Sequence, residues 1–152
     1  MKQSAGLLLY RRQHNELQVL LVHPGGPFWK NKDAGAWSVP KGEFGPEEEG
    51  LAAAIRETKE ETGHLFAGSF IPLQPVKLKS GKTVHAWALE TDFDTATLNS
   101  NTFLFQWPPR SGKMIEIPEV DRAQWCSLVE AKEKINPAQW NLIEQLIALE
   151  VS

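Results

Sequence analysis

A chain of 152 residues is of single-domain length, long enough to bury a core without staples, and its 41% hydrophobic content is that of a globular protein. A formal net charge of −3 argues against binding nucleic acid through a broad basic surface, but allows a phosphate substrate if metal ions supply positive charge. The one cysteine, Cys126, excludes an internal disulfide, and no apolar run reaches signal or membrane length, so a soluble cytoplasmic protein without a membrane partner is expected.

Ala5 to Arg12 and Leu17 to His23 are apolar, β-rich runs joined by Gln13-His14-Asn15-Glu16, which predicts a hairpin. Pro24-Gly25-Gly26-Pro27 ends the second strand and opens a loop carrying Phe28, Trp29 and several lysines. Trp37-Ser38-Val39 reads as a short strand before Pro40-Lys41-Gly42. Pro46 at a first turn, Glu47 to Glu49 behind it and Gly63 at the end frame a helix of about 17 residues. Ser69 to Lys79 and Lys82 to Thr91 read as a second hairpin around Ser80-Gly81, and Met114 to Ile117 and Ala123 to Leu128 as shorter strands. Asn136-Pro137-Ala138-Gln139 combines an N-cap, a proline at the first helical position and a capping-box glutamine. The stripe Trp140, Ile143, Leu146, Ile147 then marks a C-terminal amphipathic helix. No repeat or linker divides the chain. A single domain over residues 1–152 is expected, an α+β or α/β sandwich.

One segment carries the chemistry. The chain reads Gly42-Glu43-Phe44-Gly45-Pro46-Glu47-Glu48 and, after seven further residues, Arg56-Glu57-Thr58-Lys59-Glu60-Glu61-Thr62-Gly63. Carboxylates so crowded repel one another unless a cation lies among them. A solvated acidic helix face would explain the charge but not the spacing. The pattern G-x5-E-x7-R-E-x-x-E-E-x-G resembles the signature of the Nudix hydrolases and matches it at every charged and glycine position. Thr58 and His64 stand where that family usually carries aliphatic residues. The resemblance implies the Nudix fold, a mixed β-sheet between helices, and hydrolysis of a diphosphate joined to some group X.

On a helical wheel at about 100° per residue, Leu51, Ile55, Thr58 and Thr62 form the core stripe. Glu57 and Glu61 share another face with Glu60 beside them, and Ala53 and Ala54 are expected to keep that face low for an ion or a phosphate. Converging carboxylates are hard ligands suited to Mg2+ or Mn2+, so Glu57, Glu60 and Glu61 are the expected metal set. By the resemblance, Arg56 orients a catalytic glutamate through an ion pair, although the wheel points it off the metal face. Glu48 is structural or assists from outside the metal set, and Gly42 and Gly45 allow a tight loop into the helix. Lys41 would meet a substrate phosphate. Many Nudix enzymes supply a further glutamate shortly before a tryptophan-bearing strand. Glu116 and Glu119 both precede Trp125, and Glu119 has the better spacing, as fourth ligand or general base with Glu57 the competing base.

The segment Trp37 to Gly42 looks most like the one preceding the signature in the diadenosine tetraphosphate hydrolases. The expected reaction is therefore Mg2+-dependent hydrolysis of a dinucleoside polyphosphate, with a small nucleotide as the partner of a monomer or homodimer. The tyrosine those enzymes use to stack a base has no counterpart here: its stretch falls on Ser80-Gly81-Lys82, and Tyr10 is the only tyrosine. Trp29, Phe28 or Trp87 would stack instead, with His85 on the same strand face as Trp87. His23 and His64 are read as structural. Two alternatives stand beside this reading: a nucleoside triphosphate pyrophosphatase acting on modified nucleotides, and a Nudix-fold nucleotide sensor that does not cleave. Intact ligand positions favour the enzyme.

Overall fold

The computed structural model describes residues 2–151. β1 (Gln3–Gln13) and β2 (Glu16–Pro24) form the expected hairpin, with Gln13 opposite Glu16 across a two-residue turn. His14 and Asn15 hold φ of 52° and 63° there, the left-handed pair that a type I′ turn requires. β3 (Lys41–Phe44), α1 (Gly50–Thr62), β4 (Ile71–Pro72), β5 (Val76–Lys77) and β6 (Thr83–Glu90) follow. β7 (Thr102–Gln106) and β8 (Met114–Pro118) pair as a separate ribbon, and β9 (Val120–Ser127), α2 (Leu128–Lys134) and α3 (Trp140–Val151) complete the chain.

Seven strands make one mixed sheet along the path β4-β6-β1-β2-β9, with β3 also on β1 and β5 also on β6. Only β1 and β6 run parallel. Side chains alternate across β1 and so divide the core in two. Ala5, Leu7 and Leu9 pack beneath α1 with Ala53, Ala54 and Phe66. Leu8 and Tyr10 face the opposite way, toward Leu142, Ile143 and Leu146 of α3. Leu7, Leu8 and Leu9 are all fully buried, as befits a strand covered on both faces, and each contributes roughly 1.5–3 kcal/mol by leaving water. This is the α+β sandwich expected from the element order, with the mixed sheet between helices that the family resemblance implies.

The pairing of β1 also makes the cleft. β6 takes one edge of β1 from Gln3 to Tyr10, so the other edge must be shared. β2 occupies it along Tyr10–Gln13 and β3 along Gln3–Gly6. Between them β2 diverges toward β9, and residues 37–40 fill the fork. Ser38 bridges to Val22, and Leu7 N–H donates to Pro40 O at 3.2 Å. Gly6 permits that approach, since a Cβ there would strike Pro40 O.

Several expectations are corrected. α1 is shorter than the proline suggested. Gly45-Pro46-Glu47-Glu48 forms a turn closed by Glu48 N–H on Gly45 O (3.2 Å), with Pro46 at its second position, and the helix starts only at Gly50. No acidic residue therefore stands in its first turn, while Gly63 ends it in the left-handed conformation, φ 81°. Ala53 and Ala54 do not border an open face; both are wholly buried against the sheet, and Leu51 and Ile55 keep part of their surface. Gln139 is not a capping-box residue. Asn136 caps Ala138 in a short 3-10 turn ahead of α3, and Gln139 Oε1 instead accepts from Val39 N–H at 3.1 Å. The chain reading also passed over β3, β7 and α2, although Ser127 and Glu130 form a reciprocal capping box that announces α2. No helix among the described residues is long and apolar enough to cross a membrane.

Candidate active site

The fork between β1 and β2 opens into a cavity of about 230 Å3, lined among others by Trp29, Lys41, Glu61, Glu119, Asn136 and Gln139. The last two turns of α1 pack against β3, which brings Glu61 to Lys41 and Glu57 to Gly42, and of the helix acids Glu61 lines the cavity. Glu61 Oε1 accepts from Lys41 N–H at 3.2 Å. Glu57 is buried against Gly42, where a Cβ would fall inside the Glu57 carboxylate. Gly42 is thus a glycine because it makes room for Glu57. Its φ is not among the positive ones, so the tight-loop reason given for it is corrected.

Arg56 does not point away from these acids. Its Nε and Nη2 hold both oxygens of Glu48 (2.9 and 2.8 Å), and Nη1 bridges Glu57 at 2.9 Å and Glu60 at 2.6 Å. The side chain is long enough to reach round the helix, which a wheel drawn from Cα positions does not register. Glu48, left outside the helix by the Pro46 turn, clamps the guanidinium from the far side. A fork gripped in this way has its rotamer fixed, and with it the direction of the Glu57 carboxylate.

Glu119 arrives by backbone. Asn101 N–H donates to Glu60 O at 2.7 Å, and Glu119 N–H donates to Asn101 O at 2.8 Å. Gly25 N–H donates to Glu119 O at 3.1 Å, so the residue is pinned between the end of α1 and the loop after β2. Glu116, the other distal carboxylate considered, lies exposed on β8 away from this junction.

The electrostatics follow from burial. Glu61 is pushed up to about 8, chiefly by burial, with Glu119 and Glu57 adding repulsion against the opposing pull of Lys41. Burial first and Glu60 second raise Glu57, and burial with Glu60 also raises Glu119. Lys41 is held below its usual range, burial outweighing its attraction to Glu61. The hydrogen bonds from Arg56 hold Glu48 low. Five carboxylates (Glu48, Glu57, Glu60, Glu61, Glu119) therefore meet two cations, Lys41 and Arg56. Among the described residues no three acidic, imidazole or thiol groups are already converged to chelate an ion, and Arg56 spans Glu57 and Glu60. The donor set itself, crowded, anionic and all oxygen, fits a hard divalent cation.

Trp87 and His85 are not brought to this cavity. Trp87 packs under the start of α1, where a Cβ on Gly50 would meet its ring at 2.8 Å, and His85 bonds Gln3 on the same side of the sheet. The aromatic walls are Trp29 and Trp37. Asn136 and Gln139 were read only as helix-capping residues, yet both line the cavity. His23 is a buried tie, with Nδ1 2.8 Å from Asp121 and Nε2 2.6 Å from Lys32 O, and it anchors the loop that carries Trp29.

Comparison with known proteins agrees with the fold. Over 58 residues the chain is 40% identical to the asymmetrical bis(5'-nucleosyl)-tetraphosphatase of Caenorhabditis elegans, a match spanning 38% of this chain and 38% of that one. The crystal structure of a C. elegans Ap4A hydrolase binary complex superposes with a TM-score of 0.67 at 23% identity, covering 99% of this chain and 98% of that one. A mutT/nudix family protein from Listeria innocua gives 0.65 at 16% identity, with 99% and 94% covered. The NUDIX domain of Shewanella oneidensis NrtR, complexed with ADP ribose, gives 0.63 at 14%, with 99% and 88% covered. These likenesses establish the fold. The NUDIX domain model matches residues 1–146, and the chain belongs to the NUDIX domain family.

Proposed function

We propose that the protein hydrolyses a phosphoanhydride bond of a dinucleoside polyphosphate, such as diadenosine tetraphosphate, with a divalent cation, Mg2+ foremost and Mn2+ as the substitute. The observation that carries this reading is the meeting of Glu61, Glu119 and Lys41 in one cavity walled by Trp29. Acidic ligands, a phosphate-seeking cation and a stacking surface are the three groups a nucleoside polyphosphate needs.

Glu57, Glu60 and Glu61 would hold the cation, which when bound polarises a phosphoryl oxygen and acidifies a coordinated water. Arg56 keeps Glu57 aimed, and Glu48 keeps Arg56 in place. Glu119, held by two backbone hydrogen bonds, is positioned as fourth ligand or as the base that takes the water's proton. Lys41 neutralises a phosphate oxygen, and burial leaves its ammonium eager for an anion. Trp29 stacks the base next to the reacting phosphates. The 58-residue match to the C. elegans tetraphosphatase supports the choice of substrate.

The test is a turnover screen of dinucleoside polyphosphates, nucleoside triphosphates and nucleotide sugars, with Mg2+ and with chelator, ranked by kcat/KM. Dinucleoside polyphosphates should lead. A triphosphate in first place transfers the protein to the modified-nucleotide pyrophosphatases, and binding without metal-dependent turnover makes it a sensor.

A further inference from the structure

A second cavity, of about 290 Å3, lies beside the first, between the loop after β2 and the β7–β8 ribbon. Its walls are Phe28 and Trp29 on one side and Phe103, Phe105 and Trp107 on the other. Phe103 and Phe105 share one face of β7, as a period of two requires, and Trp107 follows directly after the strand. The Phe105 and Trp107 rings are stacked at 22° and 6.2 Å, while Phe103 meets Phe105 edge-on at 6.3 Å. Phe28 and Trp29 meet edge to face at 5.1 Å. Phe28 and Phe103 nonetheless remain 54% and 43% exposed, so these rings do not serve to fill a core.

The floor of this cavity is built with close tolerances. A Cβ on Gly25 would strike Pro118 O, and one on Gly26 would come within 2.6 Å of Ile117 Cδ1. Ile117 belongs to the floor, and Glu119, two residues on, belongs to the catalytic cavity. Trp29 lines both cavities. Lys32 Nζ lies 3.7 Å from the Phe28 ring centre and 5.3 Å from that of Trp29, a cation beside the aromatic pair whose Trp29 lines both cavities.

We propose that this aromatic cavity is the subsite for the second, non-reacting nucleobase of a dinucleoside polyphosphate, with Lys32 meeting the phosphate chain between the two ends. The inference rests on the hydrolase reading above and extends it to the far end of the substrate. The size suits one ring system, at the small end of ligand pockets (~300–1,000 Å3). Its side chains offer faces for stacking and, apart from indole N–H groups, no donors or acceptors to read a base edge. The subsite therefore takes a purine without choosing between adenine and guanine.

The experiment compares diadenosine tetraphosphate with adenosine 5'-tetraphosphate, which has the same phosphate chain and lacks the second nucleoside. Wild type should favour the dinucleotide in kcat/KM by about ten- to hundredfold, most of it in KM, as stacking of one base allows. Phe105→Ala and Phe105→Leu should each shrink that ratio toward unity, the leucine keeping an apolar strand residue opposite Ile115 while losing the flat face. Leu104→Ser, on the other face of the ribbon, should leave the ratio alone. Replacing the second adenine by guanine should preserve it. Equal use of the two nucleotides by wild type, or a ratio that survives both Phe105 variants, overturns the subsite while leaving the hydrolase reading intact. Faster turnover of geranyl diphosphate would also overturn it, in favour of an aliphatic occupant. If neither nucleotide shows metal-dependent turnover, the hydrolase reading fails, and this inference fails with it.

Discussion

Glu61→Gln separates what the buried acid does for function from what it does to stability. The Glu61 carboxyl ionises near 4.5 in an unfolded chain and at about 8 in the folded protein without metal. Between these values the unfolded chain has lost a proton that the folded protein keeps, so stability falls as pH rises, by about 1.4 kcal/mol per unit. The penalty is about 1 kcal/mol at pH 5 and roughly 4–5 kcal/mol at pH 8.5. Glutamine cannot ionise, and its Oε1 still accepts from Lys41 N–H. Its new NH2 group costs about 1–3 kcal/mol if left unpaired, at every pH. The variant should then be slightly less stable than wild type at pH 5 and more stable at pH 8.5. Thermal unfolding in chelator reads the result directly. At about 2–4 °C per kcal/mol, the difference in Tm between variant and wild type should move upward by about 6–15 °C from pH 5 to pH 8.5. The shifts at Glu57 and Glu119, owed first to burial and Glu60, carry over to the variant, so most of the pH dependence in the difference belongs to Glu61. With Mg2+ and substrate the same variant should lose at least about 100-fold in kcat. A Tm difference that does not change with pH would refute the reasoning, because it would mean that Glu61 titrates alike folded and unfolded.

Gly42→Ala places a methyl in the Glu57 carboxylate. It should lower kcat by about 10- to 100-fold, with KM little changed, because a displaced ligand costs rate even when the fold survives; steady-state kinetics beside a circular dichroism spectrum checks both halves. Arg56→Lys keeps the charge and loses the fork. It should cost about tenfold or more in kcat, and in a double-mutant cycle with Glu48→Gln the losses should fall short of additive, since Glu48 acts through Arg56. Gln139→Leu strands the buried Val39 N–H and should destabilise by about 1–3 kcal/mol in denaturant titration, with an unchanged m-value.

The carboxylate spacing was legible because a helix imposes one period, so Glu57, Glu60 and Glu61 had to emerge on adjacent turns once α1 was recognised. What long-range contacts decide was hidden. Gly42 owes its identity to Glu57, fifteen positions away in the chain and in contact only after β3 docks on β1. Alanine suits an open helix face and a closely packed one equally well, so Ala53 and Ala54 could not say which they formed. Pro46 is equally at home in a first helical turn and at the second position of a β-turn, and the hydrogen bond from Glu48 to Gly45 decides between them. The stacking candidates show the same limit. Period-2 alternation put His85 and Trp87 on one strand face, but that face lies under α1. The aromatic alternation Phe103, Phe105, Trp107 is visible in the sequence, but the facing wall of Phe28 and Trp29 comes from a loop more than seventy residues away.

The backbone bond from Glu119 to Asn101 has a consequence for how this protein can vary. It closes the chain on itself, so that everything from Thr102 to Pro118 leaves and returns at a single point. Away from Ile117 and Pro118, which pack on Gly26 and Gly25, such an excursion can lengthen, shorten or change its side chains with little effect on Glu119, whose position is set by Asn101, Glu60 and Gly25. On the reading proposed above, the backbone bonds that hold Glu119 and the tip of the ribbon that would meet the far end of a substrate are largely separate. One can drift while the other is held still.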